Sequence, residues 1–219
     1  VMYFMLSVWC GLVGFSLSGL IRLELGASGC WLNSESLYNS IVTMHAVIMV
    51  FFLVMPSFMG GFANWLIPVM LSKGDMIYPR LNNVSFLLVP TSLILFIFSA
   101  FLGGPQAGWT FYPPLSAKEF MGGLEMDSSI LSLHLLGVSS ILGAINILAT
   151  VFSAVGEKVL GFEQVPLFIW ALVITSLMVL LVIPVLAAAL LMLLLDRNFN
   201  SSFFDPAGGG SLILYQHLF

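Results

Sequence analysis

Five long stretches of this chain carry no charged residue: 1–21, 36–72, 81–117, 128–156 and 164–195. A helix that crosses a bilayer needs about 20 consecutive apolar residues, so each stretch is long enough to span one. Composition agrees. The 219-residue chain is 60% hydrophobic and 7% charged, with a mean hydropathy of +1.10. Soluble domains carry about 25% charged residues because their surfaces face water. Here lipid must be the solvent for most of the surface.

Spanning cores are expected near 1–23, 36–69, 81–101, 128–153 and 166–194, with 212–219 forming the first turns of a sixth helix. Polar and turn residues gather between them, in RLELGASGCWLNSE, LSKGDMIYPR, GGPQAGWTFYPPLSAKEF, AVGEKVLGFEQVP and DRNFNSSFFDPAGGGS. Irregular backbone is not tolerated against lipid, so these segments belong outside the hydrocarbon or buried against helices. The expected fold is an all-α membrane protein. It is an antiparallel transmembrane helix bundle, five helices plus the start of a sixth, in a single transmembrane domain over 1–219. Val1 opens inside an apolar run and Phe219 closes as SLILYQHLF begins, so both ends are expected to be cut.

Charge decides some questions and leaves one open. The net charge is −4 with no basic run, so nucleic-acid binding has no electrostatic footprint. Cys10 and Cys30 form no CxxC or CxxCH pattern, which leaves zinc sites, covalent haem and a disulfide framework without support. Orientation follows the Lys and Arg content of alternate loops. One side holds Lys73, Arg80 and Lys158 and the other Arg22, Lys118 and Arg197, so the tally is even.

Polar groups inside hydrocarbon are costly, about 2.5–3.5 kcal/mol for a central Arg, Lys or Asp on insertion scales. Each one therefore needs a reason. His45 lies deep in IVTMHAVIMVFFLVM with no acid beside it. Its imidazole is either hydrogen-bonded to a neighbouring helix or a ligand to haem iron, a metal that imidazole suits. Arg22 and Glu24 in LIRLELG are either an interfacial pair that snorkels to water or contacts to an anionic or carbonyl group of a cofactor.

A second set is larger. Asn64 lies late in the second apolar run, in GGFANWLIP. Asp75 follows in the loop, and Arg80, Asn82 and Ser85 open the third. Ser139, Gly143 and Asn146 recur at i, i+4 and i+7, which places them on one helical face. Such stripes either hold water in files that conduct protons, with a carboxylate at the mouth, or pack helices closely through small residues. Other features read plainly. Gly208–Gly210 lacks the GK[ST] of a phosphate loop. Asn200-Ser201-Ser202 is a short acceptor pattern that arises by chance. His134 and His217 read as hydrogen-bonded helix residues.

The strings LIRLELG, IVTMHAVIMVFFLVMPSFMGGFANWLIP, DMIYPRLNNVSF, GWTFYPPL, LHLLGVSSILGAIN, PLFIWALVIT and PVLAAALLMLLLDRNFNSSFFDPAGGGSLILYQHLF resemble subunit I of the haem–copper cytochrome c oxidases. They cover nearly the whole chain, in that family's order. The resemblance implies that His45 is an axial ligand of the low-spin haem a. It implies that Arg22 hydrogen-bonds that haem's formyl group and raises its potential, with Ser18, Met49, Gly108 and Trp109 in the same pocket. Glu24 and the backbone of Gly29 match a peripheral Na or Ca site. Asp75 matches the entrance of a proton-uptake path, and Asn64, Asn82, Ser85, Ser139, Ser140 and Asn146 match its lining. That path faces the matrix or the bacterial cytoplasm, which orients the chain.

For the complete subunit the resemblance implies an oxygen-binding haem and a copper B. It implies subunits II and III as partners, cytochrome c as electron donor through subunit II, and the mitochondrial inner membrane as location, with a bacterial plasma membrane as the alternative. The chain stops before the family's HPEVY string, so the copper ligands and the path's terminal glutamate are expected beyond it, and the fragment alone is expected to be inactive. Two departures stand out. Lys73 lies two residues before Asp75, where a cation favours the ionised aspartate or alters proton capture. LGGPQAGWTFYPP and 116–127 diverge from the commonest animal pattern.

Readings from other classes remain: a secondary transporter or channel, or a purely structural membrane subunit. A transporter would show inverted repeats around broken helices. Pro56 and Pro184 interrupt helical runs, but no repeat is visible. A structural subunit gives no reason for His45 or the polar file.

Overall fold

The computed structural model describes residues 1–26, 28–29, 31–156 and 161–219. Cys30 and Lys158, which entered the reading of cysteines and charge, lie outside the described residues. Among the described residues there are helices and no strands. Five helices are long and apolar enough to cross a membrane: α1 (Met2–Leu25), α2 (Glu35–Met70), α3 (Pro79–Phe101), α4 (Leu124–Gly156) and α5 (Leu167–Asn198). The short α6 (Leu212–Leu218) follows. The expected fold class is thus what the chain adopts, with each span between one and seven residues longer than its expected core.

The ends of these helices follow local chemistry. Ser34 caps α2, its hydroxyl accepting from the Leu37 amide at 3.3 Å. Pro79 starts α3, where its missing N–H costs nothing. Glu125 and Asp127 occupy the first turn of α4, where negative charge meets the positive end of the helix dipole.

Contacts between ends fix the direction of each helix. The Tyr3 hydroxyl at the start of α1 meets Ser85 near the start of α3. Ser99 at the end of α3 donates to the Glu125 carbonyl at the start of α4. Asn146 near the end of α4 bonds the Tyr78 backbone just before α3. Arg197 at the end of α5 pairs with Asp127 at the start of α4. The helices therefore alternate, with the α2–α3 loop on one side of the bundle and the α3–α4 loop on the other.

Helix packing relies on small residues, because lipid removes the hydrophobic drive between helices. A Cβ on Gly14 would sit 2.5 Å from Met49 Sδ, and Cβ atoms on Gly60 and Gly61 would collide with the rings of Tyr3 and Phe4. These glycines let α1 lie close along α2. α3 and α4 are clasped by serines at seven-residue spacing along α3. Ser85 and Ser139 exchange hydroxyl-to-carbonyl bonds at 2.9 and 2.7 Å. Ser92 and Ser132 do the same at 2.7 and 2.7 Å, and Ser99 meets Ser129 at 2.6 Å.

α2 is one helix, but its centre is wound wide, with π turns over Ile48–Val54 and Pro56–Phe62. Pro56 has no N–H to offer the preceding turn, and wide turns are how a helix absorbs such a lesion within a membrane. This widened segment lies between His45 and Asn64, the two polar residues of α2 that sequence singles out.

Candidate functional site

His45 is held by its neighbour helix. Its Nδ1 lies 2.9 Å from the Gly14 carbonyl oxygen of α1. A carbonyl can only accept, so Nδ1 carries a proton, and in the Nδ1–H tautomer Nε2 keeps its lone pair. Nε2 has no hydrogen-bond partner among the described residues. Met49, one turn beyond His45, packs into the space where a Gly14 Cβ would lie.

Gly14, Ser18 and Arg22 follow at i, i+4 and i+8, so they share one stripe of α1. Neither the Ser18 hydroxyl nor the exposed Arg22 guanidinium bonds another described residue through its side chain. On the far flank, the Gly108 amide donates to Thr43 Oγ1 at 3.0 Å, which ties the α3–α4 loop to α2 two residues before His45. Gly108 has φ +77°, a left-handed conformation that favours glycine. Trp109 follows, half exposed, with its ring edge-on to Phe219 at 5.9 Å. A haem ligand needs an available ring nitrogen and a second bond that orients the ring, and the Gly14 contact gives His45 both.

The expected cation site is only partly visible. Glu24 Oε2 accepts from the amides of Trp31 and Leu32 at 3.0 and 2.8 Å, two and three residues beyond Gly29. Among the described residues no group of three or more His, Cys, Asp or Glu could hold a metal.

The polar set of α2, α3 and α4 does come together. Asn64, Ser85, Ser139 and Ser140 line one cavity of about 30 Å³, walled by Tyr3, Met55, Pro56 and Gly60. A water needs about 10–15 Å³ by the same measure, so roughly two fit. Polar order runs through it. Tyr3 meets Ser85 at 2.9 Å, and Ser85 meets Ser139 at 3.3 Å. Ser140 donates to the Leu136 carbonyl at 2.9 Å. Asn64 and Asn82 are joined at 2.9 Å. Both also line an open recess of about 640 Å³ with Pro79 and Asn83, and Tyr3, Gly60 and Asn64 belong to recess and cavity alike. The asparagine pair stands at their junction.

Two expected members sit elsewhere. Asn146 is fully buried, away from the cavity. Its amide is spent on the Tyr78 backbone, accepting at 3.1 Å and donating at 3.3 Å, so it anchors the start of α3. Asp75 is exposed in the α2–α3 loop, its Oδ1 accepting from the Met76 amide at 2.7 Å. It lies four residues before Pro79 at the recess wall.

Sequence reading missed Tyr3, Thr43 and the serines Ser92, Ser99, Ser129 and Ser132. The serines announce themselves by heptad spacing. Thr43 falls in TMHA, two residues before His45. Tyr3 gives no signal, since an aromatic at the start of a span reads as an interfacial anchor.

Comparison with known proteins bears directly on these residues. The sequence model of the family described as Cytochrome C and Quinol oxidase polypeptide I matches residues 1–219. Cytochrome c oxidase subunit 1 of Pecten maximus is 51% identical over 220 residues, covering 100% of this chain and 46% of that protein. Cytochrome c oxidase subunit 1 of Yarrowia lipolytica is 47% identical over 224 residues, covering 100% of this chain and 41% of that protein. The chain thus spans less than half the length of these relatives. With His45, the paired asparagines and the serine-lined cavity all inside the matched span, the chain belongs to the family of cytochrome c and quinol oxidase polypeptide I.

Proposed function

We propose that this chain is part of the catalytic subunit of a cytochrome c oxidase of the mitochondrial inner membrane. The complete enzyme, with subunits II and III, takes electrons from cytochrome c and reduces oxygen to water at a haem–copper B centre, coupled to proton pumping. In this reading the chain supplies helices, half of a low-spin haem pocket and the first half of a proton path.

One observation carries the reading: His45 presents an unpartnered Nε2 while its Nδ1 proton is fixed on Gly14. Bound there, a low-spin haem a supplies one-electron transfer. The chain's own residues do the rest. Gly14 sets the tautomer of His45. Arg22 and Ser18 lie along the stripe of α1 leading from Gly14 to the helix end, where a donor raises the potential of the group it touches. Gly108 and Trp109 close the rim. Glu24, with the Gly29 carbonyl, is the proposed seat of a peripheral Na or Ca.

Asp75 gathers protons at the surface, which is the matrix side in this reading. They pass the Asn64–Asn82 junction into the cavity, where Tyr3, Ser85, Ser139 and Ser140 hold water. Asn146 acts from behind, by fixing Tyr78 and the mouth. A file of hydroxyls, amides and water moves protons without setting a bare charge in lipid. The reduced-minus-oxidised spectrum of the intact complex tests the reading. A low-spin haem signal that disappears in His45→Ala supports it, and an unchanged spectrum removes His45 as a ligand.

A further inference from the structure

His134 lies within the membrane-spanning α4 and is not part of the proposed path. Both of its ring nitrogens face carbonyl oxygens. Nδ1 is 2.9 Å from the Ile130 carbonyl of its own helix, and Nε2 is 3.1 Å from the Ala187 carbonyl of α5. Both distances suit hydrogen bonds. Carbonyls only accept, and a neutral imidazole has a single N–H. With one ring proton, one contact sets a nitrogen lone pair against a carbonyl lone pair. With two, both contacts become hydrogen bonds.

The ring also stands between two cavities. A small one of about 20 Å³, with room for one water, is lined by His134, Ser140, Phe51 and Met55. It shares Ser140, Phe51, Met55 and Leu136 with the serine-lined cavity. Beyond the ring lies an apolar recess of about 310 Å³ between Leu95, Leu131, Ile141 and Ile183. Among the described residues, no other titratable or charged side chain lines either cavity. α2 brings Phe51 and Met55, α3 brings Leu95, and α5 brings Ile183, Leu186, Ala187 and Leu190. The two carbonyl dipoles are therefore the groups that answer a charge on this ring. Ionisable groups inside membranes that pair with backbone carbonyls beside a cavity are a recurrent mark of proton relays.

We propose that His134 is a proton-binding site at the seam of α4 and α5, on a side branch of the polar cavity. A proton delivered by water in the small cavity adds to the free ring lone pair and clamps α5 at Ala187. Its loss releases one of the two contacts. The binding site stands on the ring's own geometry. Its supply from the cavity rests on the proton-path reading.

The test uses the complete oxidase complex with ring-¹⁵N histidine. Infrared difference spectra between acid and neutral pH are recorded for the wild type and His134→Gln. The expected result is loss of one isotope-sensitive imidazolium band in the variant, and identical spectra overturn the proposal. Neutron diffraction of the wild-type complex needs no variant. Deuterium on both ring nitrogens at acid pD supports the site, and a single deuteron at every pD overturns it. If Asp75→Asn leaves proton uptake intact, the path reading fails while either His134 result stands by itself.

Discussion

His45 Nδ1 lies 2.9 Å from the carbonyl oxygen of Gly14, so the tautomer of a half-buried imidazole on α2 is chosen by a backbone group on α1. A Cβ at position 14 would meet Met49 Sδ at 2.5 Å, so the close approach of the two helices here favours a residue without one. Tautomer and helix spacing are therefore one property.

That relationship gives the first prediction. In the complete enzyme, Gly14→Val pushes Met49 aside and separates the helices. Loss of a partner that orients a metal ligand typically weakens metal binding about 10–100-fold. Haem retention under detergent titration, followed by the low-spin band, should fall by that order. Retention equal to wild type would show that the Gly14 contact does not orient His45.

Tyr3 is tested by removing one atom. Tyr3→Phe keeps the ring that packs against Gly60 and deletes the hydroxyl that meets Ser85 at 2.9 Å. Proton uptake, measured by pH-indicator dye in single turnovers, should slow several-fold while haem spectra stay unchanged. Uptake at the wild-type rate would restrict Tyr3 to packing.

Asp75→Asn should slow uptake more, because it removes the only proposed collector, again with normal haem content. Normal pumping and turnover in that variant would exclude Asp75 as the entrance.

The serine clasp predicts a stability change without a functional one. Ser92→Ala removes one member of a reciprocal pair bonded at 2.7 and 2.7 Å. Interhelical hydrogen bonds in membranes are worth about 0.6 kcal/mol on average and up to about 1.7. Thermal denaturation of the complex should register a loss of that size, with the proton path unaffected.

Arg197 should matter far more. Its side chain is 1% exposed and pairs with Asp127 at 2.6 Å. It also donates to the Ser116 carbonyl at 2.6 Å and the Gly123 carbonyl at 3.0 Å. Arg197→Leu abandons two carbonyls and leaves the Asp127 carboxylate only Asn198 and the α4 N-terminus, and breaking a buried pair in this way usually costs up to about 3–5 kcal/mol. Arg197→Leu combined with Asp127→Leu should recover part of it. A denaturation series that shows no recovery would mean the carbonyl contacts dominate over the ion pair.

Charge-free length in the sequence determined the number and extent of the membrane helices, because an unbroken apolar run of about 20 residues satisfies its backbone in lipid as a helix, whereas barrel strands are about half that length. It also marked His45 and Asn64, since a polar group in an apolar run stands out against its surroundings, and set Asp75 in the loop just beyond that run. Heptad serines and paired glycines were there to be seen, but spacing alone does not say which helix answers them.

The tertiary structure decided everything that depends on pairing between helices. Asn64 found Asn82, Tyr3 joined the cavity, and His45 acquired Gly14. Asn146, on the same sequence stripe as Ser139, became an anchor for Tyr78 instead of a lining residue. His134 gained a second carbonyl from α5. The reason is physical. Periodicity assigns a residue to a face of its own helix, while the partner on that face is set by the rotation and closeness of the neighbour, and those follow from packing summed over both helices.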